Sequence, residues 1–128
     1  MTTLADTSVW VDGLRRNTSW LARTLPTSES IAYTEPILME VLMGARHAAE
    51  WQRLRRFVMG GTLVPFDSVS DFEAAAAIHW VGRRRGITVG QSDCLILAVA
   101  KRTEAQLVTR DQRQAELGSL VGIEVVAN

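Results

Sequence analysis

The chain has a single cysteine, Cys94, in 128 residues. One cysteine excludes an internal disulfide and any cysteine-based zinc cluster, and it suits a reducing compartment. Prolines number only three and are scattered, so they do not mark a linker between domains. Repeats and low-complexity tracts are also missing. The sequence therefore predicts one domain over residues 1–128, which is long enough to bury a core.

Long apolar runs and a net charge are missing as well. Stretches such as Cys94–Ala100 are far too short to cross a bilayer. The first residues do not show a basic segment followed by a long apolar one, so we expect no signal peptide, no membrane association and a cytoplasmic location. The 14 basic side chains are balanced by 14 acidic ones. This balance argues against a protein that holds nucleic acid by net charge alone.

Nearly all the cations are arginines, because Lys101 is the only lysine. A guanidinium binds phosphate through two hydrogen bonds. The arginines cluster at Arg15–Arg16, Arg53/Arg55/Arg56, Arg83–Arg85 and Arg110/Arg113. These clusters predict either a phosphate-facing rim or ordinary solvated helix ends. The four tryptophans alternate with aliphatic residues at helical spacing, which predicts core residues rather than platforms for stacked bases.

Short β-type runs alternate with segments of helical spacing. The predicted strands are Thr2–Ala5, Ile31–Thr34, Thr62–Phe66, Gln106–Thr109 and Gly122–Val126. The predicted helices are Ser8–Arg16, Ser19–Leu25, Glu35–Gly44, Ala48–Met59, Ser68–Arg85 and Gln91–Thr103, and the two longest should pack as a pair. The alternation predicts an α/β domain, a three-layer α/β/α sandwich around a mainly parallel sheet of four to five strands. Ligand sites in such sheets lie beyond the carboxyl ends of the strands.

Four carboxylates occupy positions that point to that end of the sheet. Asp6 and Asp111 each follow a predicted strand, whereas Glu40 and Asp93 interrupt strongly apolar helices. Each has a structural alternative: a helix cap for Asp6, a narrow polar stripe for Glu40, the helix dipole for Asp93 and an Asx turn for Asp111. A partly buried Glu40 should also need a compensating partner.

If these carboxylates converge, protons or a cation must offset the repulsion between their negative charges. Two like charges at 4 Å repel by about 4 kcal/mol at an effective dielectric constant near 20. Carboxylate oxygens select Mg²⁺ or Mn²⁺ over zinc or copper, and such an ion neutralises phosphate charge and activates a bound water. Asp12, further along the first helix, is predicted to be a solvent-facing charge.

Four segments resemble the PIN-domain ribonucleases, and specifically the VapC toxins of bacterial type II toxin–antitoxin systems. The segments are LADTSVW at 4–10, TEPILMEVLMG at 34–44, SDCLI at 92–96 and LVTRD at 107–111. Any one of them is a weak signal. Their order and spacing along the whole chain make the resemblance specific.

The resemblance implies metal ligands at Asp6, Glu40, Asp93 and Asp111. It also implies supporting hydrogen bonds from Thr7 or Ser8, and a hydrogen bond from Thr109 that steadies Asp111. The implied reaction is Mg²⁺- or Mn²⁺-dependent hydrolysis of RNA phosphodiesters by metal-activated water. The implied substrates are structured RNAs of the translation machinery, such as tRNA or rRNA. The implied partners are a second copy in a homodimer and a VapB-type antitoxin whose C-terminal segment blocks the acidic site.

One departure from the family concerns the residues after Asp111. Many relatives carry another acidic residue there, whereas this chain has Gln112, Arg113 and Gln114. We therefore expect one tightly bound ion, with a second arriving alongside the substrate. Arg110 and Arg113 could hold the scissile phosphate or temper the acidic field, and the sequence leaves both open.

Two functions of other classes remain as alternatives. One is a phosphotransfer domain of the receiver or haloacid-dehalogenase type, with Asp6 as phosphoacceptor. Thr7 and Ser8 argue against it, because they stand where such a nucleophile has a second aspartate. The other is a non-catalytic interaction domain whose carboxylates only cap helices. Site-specific binding of Mn²⁺ separates the ribonuclease from an inert domain.

Overall fold

The computed structural model describes residues 2–15 and 31–127 of the chain. Five strands lie within these ranges: β1 Thr3–Ala5, β2 Ile31–Tyr33, β3 Thr62–Leu63, β4 Gln106–Thr109 and β5 Val125–Ala127. Six helices accompany them: α1 Thr7–Arg15, α2 Glu35–Met43, α3 Ala48–Met59, α4 Ser68–Arg84, α5 Gln91–Thr103 and α6 Gln112–Leu120. The predicted helix Ser19–Leu25 lies outside the described residues.

The strands form one parallel sheet in the order β3-β2-β1-β4-β5. The predicted α/β class with a parallel central sheet is thereby confirmed. The chain builds outward from β1 to β3, then crosses back and places β4 on the other side of β1. Ala5 pairs with Val108, so the carboxyl ends of β1 and β4 meet side by side. A parallel sheet opens a crevice for ligands where its strand order reverses, which here is this pair.

The core lies around the two central strands and the apolar helix α5. Leu4, Leu107 and Val108 are fully buried, as is most of α5 from Cys94 to Ala100. The predicted pairing of the two longest helices is confirmed, because α4 and α5 pack along each other. Arg102 of α5 links the two helices through an ion pair of 2.9 Å with Asp71, a buried residue of α4.

The tryptophan prediction is right for Trp10, which is buried, and wrong for two others. Trp51 of α3 and Trp80 of α4 are 43% and 52% exposed. Helical spacing identifies an apolar face but not how much of it the neighbouring elements cover. Trp20 lies outside the described residues. None of the described helices has the length and apolarity needed to cross a membrane.

The sixth helix was not predicted, and the largest differences between predicted and observed strand boundaries are at β3 and β5. α6 was not predicted because its first turn, Gln112 to Gln114, is entirely polar, although Asp111 before it is a strong capping residue. β3 stops at Leu63 because Pro65 has no N–H to continue the ladder. β5 begins at Val125 because Gly122, at φ 90°, still belongs to a turn.

Candidate active site

Asp6 is held at the carboxyl edge of β1. Its backbone N–H donates to the Val108 carbonyl at 2.9 Å, and its side chain is only 3% exposed. The oxygen Oδ2 accepts from the Ser8 hydroxyl at 2.8 Å and from the Ser8 N–H at 3.3 Å. The other oxygen, Oδ1, is buried without a hydrogen-bond partner. A capping role thus accounts for one oxygen, and the other carries an uncompensated desolvation cost.

Thr109 ends β4 directly beside Asp6 and is fully buried. Its hydroxyl lies 2.7 Å from Oε1 of Gln114 and 3.4 Å from Oδ2 of Asp6. A hydroxyl has one proton, so the shorter bond to Gln114 takes it. The contact of Thr109 with Asp6 is therefore weak and secondary. Its contact with Asp111, the carboxylate it was expected to steady, is the hydrogen bond that the Asp111 N–H donates to the Thr109 hydroxyl at 3.0 Å.

Gln114 is a buried residue of the site that the sequence did not reveal. Besides accepting from Thr109, it donates from Nε2 to the main-chain carbonyl of Asp93 at 3.4 Å. It therefore joins the end of β4 to the first turn of α5. A glutamine in a polar helical turn is normally exposed, and no sequence signal separates this one from its neighbours.

Asp111 caps α6 rather than forming the isolated Asx turn considered above. Its Oδ1 accepts from the N–H groups of Arg113 at 2.9 Å and Gln114 at 3.2 Å. Its own N–H donates to the Thr109 hydroxyl at 3.0 Å. These bonds fix an exposed carboxylate at the carboxyl end of β4, adjacent to the strand that carries Asp6.

Glu40 of α2 has the partner that its apolar surroundings led us to expect. The Thr7 hydroxyl donates to Oε1 of Glu40 at 3.1 Å. Burial nevertheless raises the pKa of Glu40, and the negative charge of Asp6 raises it further against the opposing effect of Thr7. Glu40 and Asp6 thus share one electrostatic environment.

Asp93 in the first turn of α5 shows the strongest effect. Burial, followed by three neighbouring negative charges, raises its pKa to about 7; those charges are Asp6, Glu40 and Asp111. The fold therefore brings the four predicted carboxylates close enough for the negative charges of Asp6, Glu40 and Asp111 to act on Asp93. Helix dipoles and caps alone do not produce that mutual repulsion, since a helix N-terminus favours a charged carboxylate.

The four carboxylates converge without forming a closed cage. No three His, Cys, Asp or Glu side chains within residues 2–15 and 31–127 already stand as a metal-ligand cluster. Mg²⁺ retains several of its waters and needs only one or two direct carboxylates in typical sites. A buried, unpartnered Asp6 oxygen beside three further carboxylates fits such a hard, hydrated cation.

The prediction that Asp12 is a solvent-facing charge is wrong. Its side chain is 14% exposed and pairs with Nη1 of Arg110 at 2.7 Å. The pairing could not be foreseen because it depends on β4 lying next to β1, which brings the loop after β4 against α1. Arg110 is thus held beside the carboxylates, whereas Arg113 contributes only a main-chain contact to the described site.

Comparison with known proteins identifies the family of this chain. The PIN domain family matches residues 3–120. VapC ribonuclease Mb1587 of Mycobacterium bovis and ribonuclease VapC11 of Mycobacterium tuberculosis are each 43% identical over 114 residues, covering 84% of this chain and 85% of each relative.

Solved structures show the same architecture at lower identity. DNA-bound VapBC from Salmonella typhimurium matches with a TM-score of 0.81 at 19% identity, covering 99% of this chain and 98% of that one. VapBC-5 from M. tuberculosis matches with a TM-score of 0.74 at 21% identity, covering 99% and 98%.

The chain has a parallel sheet with carboxylates converging where the strand order reverses, and the PIN domain family matches it over residues 3–120. It is therefore a PIN domain. At 43% identity to two mycobacterial ribonucleases, the chain belongs to the VapC ribonuclease toxins of toxin–antitoxin systems. The predicted family is confirmed, and so is the prediction of a ribonuclease.

Proposed function

We propose that this VapC ribonuclease hydrolyses phosphodiester bonds of structured RNA, such as tRNA or rRNA, with Mg²⁺ or Mn²⁺ held by Asp6, Glu40, Asp93 and Asp111. The observation that carries the proposal is the buried, unpartnered Oδ1 of Asp6 within a field of three more carboxylates. An ion in this field offsets both the repulsion among the carboxylates and the charge of an incoming phosphate.

The chain's own residues prepare the site for that ion. Ser8 fixes one oxygen of Asp6 and leaves the other buried without a hydrogen-bond partner, while Thr7 orients Glu40. Gln114 ties the first turn of α5 to the end of β4 and so sets the spacing between Asp93 and Asp111. When bound, the cation supplies Lewis acidity and lowers the pKa of a water that attacks the phosphate.

The two alternatives account for fewer of these contacts. A phosphoacceptor at Asp6 would have to be approached by a phosphoryl group, yet this carboxylate is 3% exposed and has hydroxyl residues where a second aspartate is needed. Helix capping explains Asp111 and one oxygen of Asp6. It leaves the placement of Glu40 and Asp93 without a reason.

Hydrolysis of an RNA hairpin in water enriched in oxygen-18 tests the proposal. We expect cleavage with Mg²⁺ or Mn²⁺ to place one labelled oxygen in the product phosphate, because the nucleophile is water and the 2′-hydroxyl stays intact. EDTA should stop the reaction. Mass spectrometry reads both results. A 2′,3′-cyclic phosphate product, or cleavage that survives EDTA, contradicts a metal-dependent hydrolytic mechanism.

The cognate partner is proposed to be a VapB-type antitoxin whose C-terminal segment covers the acidic site in the cytoplasm. Related folds have been solved as VapBC complexes and as a toxin–antitoxin complex from Klebsiella pneumoniae. The net negative field of the four carboxylates favours a basic antitoxin side chain at this position.

We also propose that the chain forms a homodimer through α4. Phe72 and Trp80 are 58% and 52% exposed and line one apolar cavity of about 550 Å³ between α4 and α5. Glu73 lies near the start of α4, and Arg83 and Arg84 lie at its end. Two α4 helices packed antiparallel about a two-fold axis would place opposite charges together, so the face is self-complementary.

Replacing Trp80 with arginine should convert the dimer into a monomer. The substitution removes a large apolar contact and adds a cation to the end of α4 that already carries Arg83 and Arg84, which should weaken association by at least about tenfold. Light scattering with size-exclusion chromatography measures the mass. Trp51→Arg on α3 is the matched control and should leave the mass unchanged. A wild-type protein of monomer mass at 100 times the concentration used for activity would contradict the proposal.

A further inference from the structure

Arginines are concentrated on and just before α3, beyond what the end of a helix requires. Residues 41–66 hold four arginines and one acidic residue, which gives this stretch a net charge of +3 in a chain whose net charge is zero. The arginines are Arg46, Arg53, Arg55 and Arg56. Only Arg56 lies in the last turn of α3, where the helix dipole favours a cation. The dipole therefore does not explain the arginines in the middle of the helix.

Glu50 uses two of these arginines and leaves two. It is buried and accepts from Nε and Nη2 of Arg46 at 3.4 and 3.0 Å, and Nη2 of Arg53 lies 3.9 Å from it. Arg55 and Arg56 are exposed. Neither side chain forms an ion pair or a hydrogen bond with another residue that the structure describes. Two guanidinium groups on consecutive residues of α3 are therefore open to an anion from solution.

An exposed tryptophan accompanies these arginines. Trp51 lies one helical turn before Arg55, on the same side of α3, and is 43% exposed. It lines a cavity of about 320 Å³, at the lower end of the range for sites that hold small ligands. The other lining residues are Ala45, Arg46, His47, Ala48 and Gln52. Exposure of so large an apolar ring is costly unless a partner covers it.

The polar lining of this cavity is rich in hydrogen-bond donors. The imidazole of His47 accepts the N–H of Glu50 at Nδ1, so in its neutral form it carries its own proton at Nε2. Arg46 and Gln52 add guanidinium and amide N–H groups. A nucleobase has a flat face for an indole ring and acceptor atoms at its edge. The cavity therefore suits a single unpaired base.

This surface is separate from the carboxylate site. Helix α3 packs against α1 and α2, on the side of the fold away from β4 and α5. None of the groups that shift the pKa of Glu40 or Asp93 belongs to α3. A molecule held on α3 therefore does not occupy the place of the reacting phosphate.

We infer that α3 binds an unpaired segment of RNA, with Arg55 and Arg56 on its phosphates and Trp51 stacked on one of its bases. This inference rests on the proposed ribonuclease function and extends it by a contact outside the site of hydrolysis. A guanidinium binds phosphate through paired N–H groups, and an aromatic face accepts any base. An acidic protein segment would pair with the same arginines, but it does not require a stacking ring beside them.

Anisotropy of a fluorescein-labelled RNA hairpin in EDTA, where hydrolysis does not consume the RNA, tests the phosphate contacts. Arg55→Gln and Arg56→Gln should each reduce the slope of log affinity against log salt by about 0.7, the loss of one phosphate contact on an unpaired strand. In about 0.1 M salt this corresponds to about fivefold weaker binding. Arg85→Gln removes one exposed arginine at the end of α4 and is the matched control, for which the slope should not change.

Trp51→Ala tests the stacked base. It should weaken binding of the hairpin about tenfold without changing the salt slope, because stacking releases no counterion. Trp51→Phe keeps a flat ring and should retain most of the affinity. A blunt RNA duplex with the same number of phosphates offers no unpaired base, so Trp51→Ala should bind it as the wild type does. With Mn²⁺ present, the arginine variants and Trp51→Ala should raise the KM of hydrolysis and leave kcat unchanged.

Three results would overturn the inference. They are an unchanged salt slope in both α3 arginine variants, an equal change in Arg85→Gln, or hairpin binding by Trp51→Ala that equals the wild type. Polyglutamate that displaces the hairpin as well as unlabelled RNA of equal charge would assign the surface to an acidic protein instead. Circular dichroism melting of each variant separates unfolding from loss of contact.

The two measurements also separate this inference from the proposed reaction. Wild-type protein that binds RNA through α3 in EDTA but does not hydrolyse it with Mn²⁺ would reject the reaction and leave the binding surface standing. Hydrolysis with an unchanged KM in every α3 variant would reject the binding surface and leave the reaction standing.

Discussion

Replacing Asp93 with asparagine should abolish RNA hydrolysis while making the metal-free protein more stable. The substitution keeps the shape of the side chain but removes a carboxylate that three others repel. Loss of a metal ligand should lower kcat/KM on the order of 1000-fold. The free energy of unfolding in EDTA at pH 8 should rise by about 1 to 2 kcal/mol, a value reduced for the partial exposure of Asp93. Hairpin cleavage and urea denaturation measure the two effects.

A loss of activity combined with a gain in stability distinguishes a functional carboxylate from a structural one. Asp6→Asn should also abolish hydrolysis, but it weakens the hydrogen bonds from Ser8 and so brings less gain in stability. Glu116→Gln is the matched control, since it removes an exposed acidic charge and should leave both measurements unchanged. Activity within a factor of two of wild type in Asp93→Asn would reject the proposed ligand set.

The affinity for Mn²⁺ should fall about tenfold for each pH unit below 7. Asp93 has a pKa of about 7 in the folded, metal-free protein, so below that pH the ion must displace a proton. Calorimetry at several pH values, in buffers of different ionisation enthalpy, measures the affinity and the number of protons released. About half a proton should be released by Asp93 at pH 7 and nearly none at pH 8.5. A pH-independent affinity between pH 5.5 and 7 would contradict this.

The free energy of unfolding of the metal-free protein should also depend on pH through Asp93. The folded pKa of Asp93 is raised from its ordinary value of 3.8, so between these two pH values the folded state binds more protons than the unfolded state. The free energy of unfolding therefore decreases as pH rises through this range. The stabilisation is fully present below about pH 4 and is lost as pH passes 7. Mn²⁺ should restore stability above pH 7, and Asp93→Asn should flatten the dependence.

The strongest sequence predictions concerned features set by neighbouring residues. Hydrophobic spacing placed α3 and α5 at their observed boundaries, and it located Asp6 directly after β1. These features depend on which side chains lie one turn or one pleat apart, so a local pattern contains them. The resemblance added the order of four acidic segments, and the fold brought their carboxylates into one field.

The features that the sequence missed depend on contacts between distant segments. The position of β4 next to β1 is a property of strand order, and only that order sets Arg110 against Asp12 and turns a supposed surface charge into a partly buried pair. The same is true of Gln114, whose burial follows from the packing of α6 against α5 and β4. By itself the sequence determined where β1 and β4 end and which carboxylate follows each of them, because burial patterns act locally. The tertiary structure decided which of those ends meet, because parallel neighbours in a sheet are chosen by the crossover path of the whole chain.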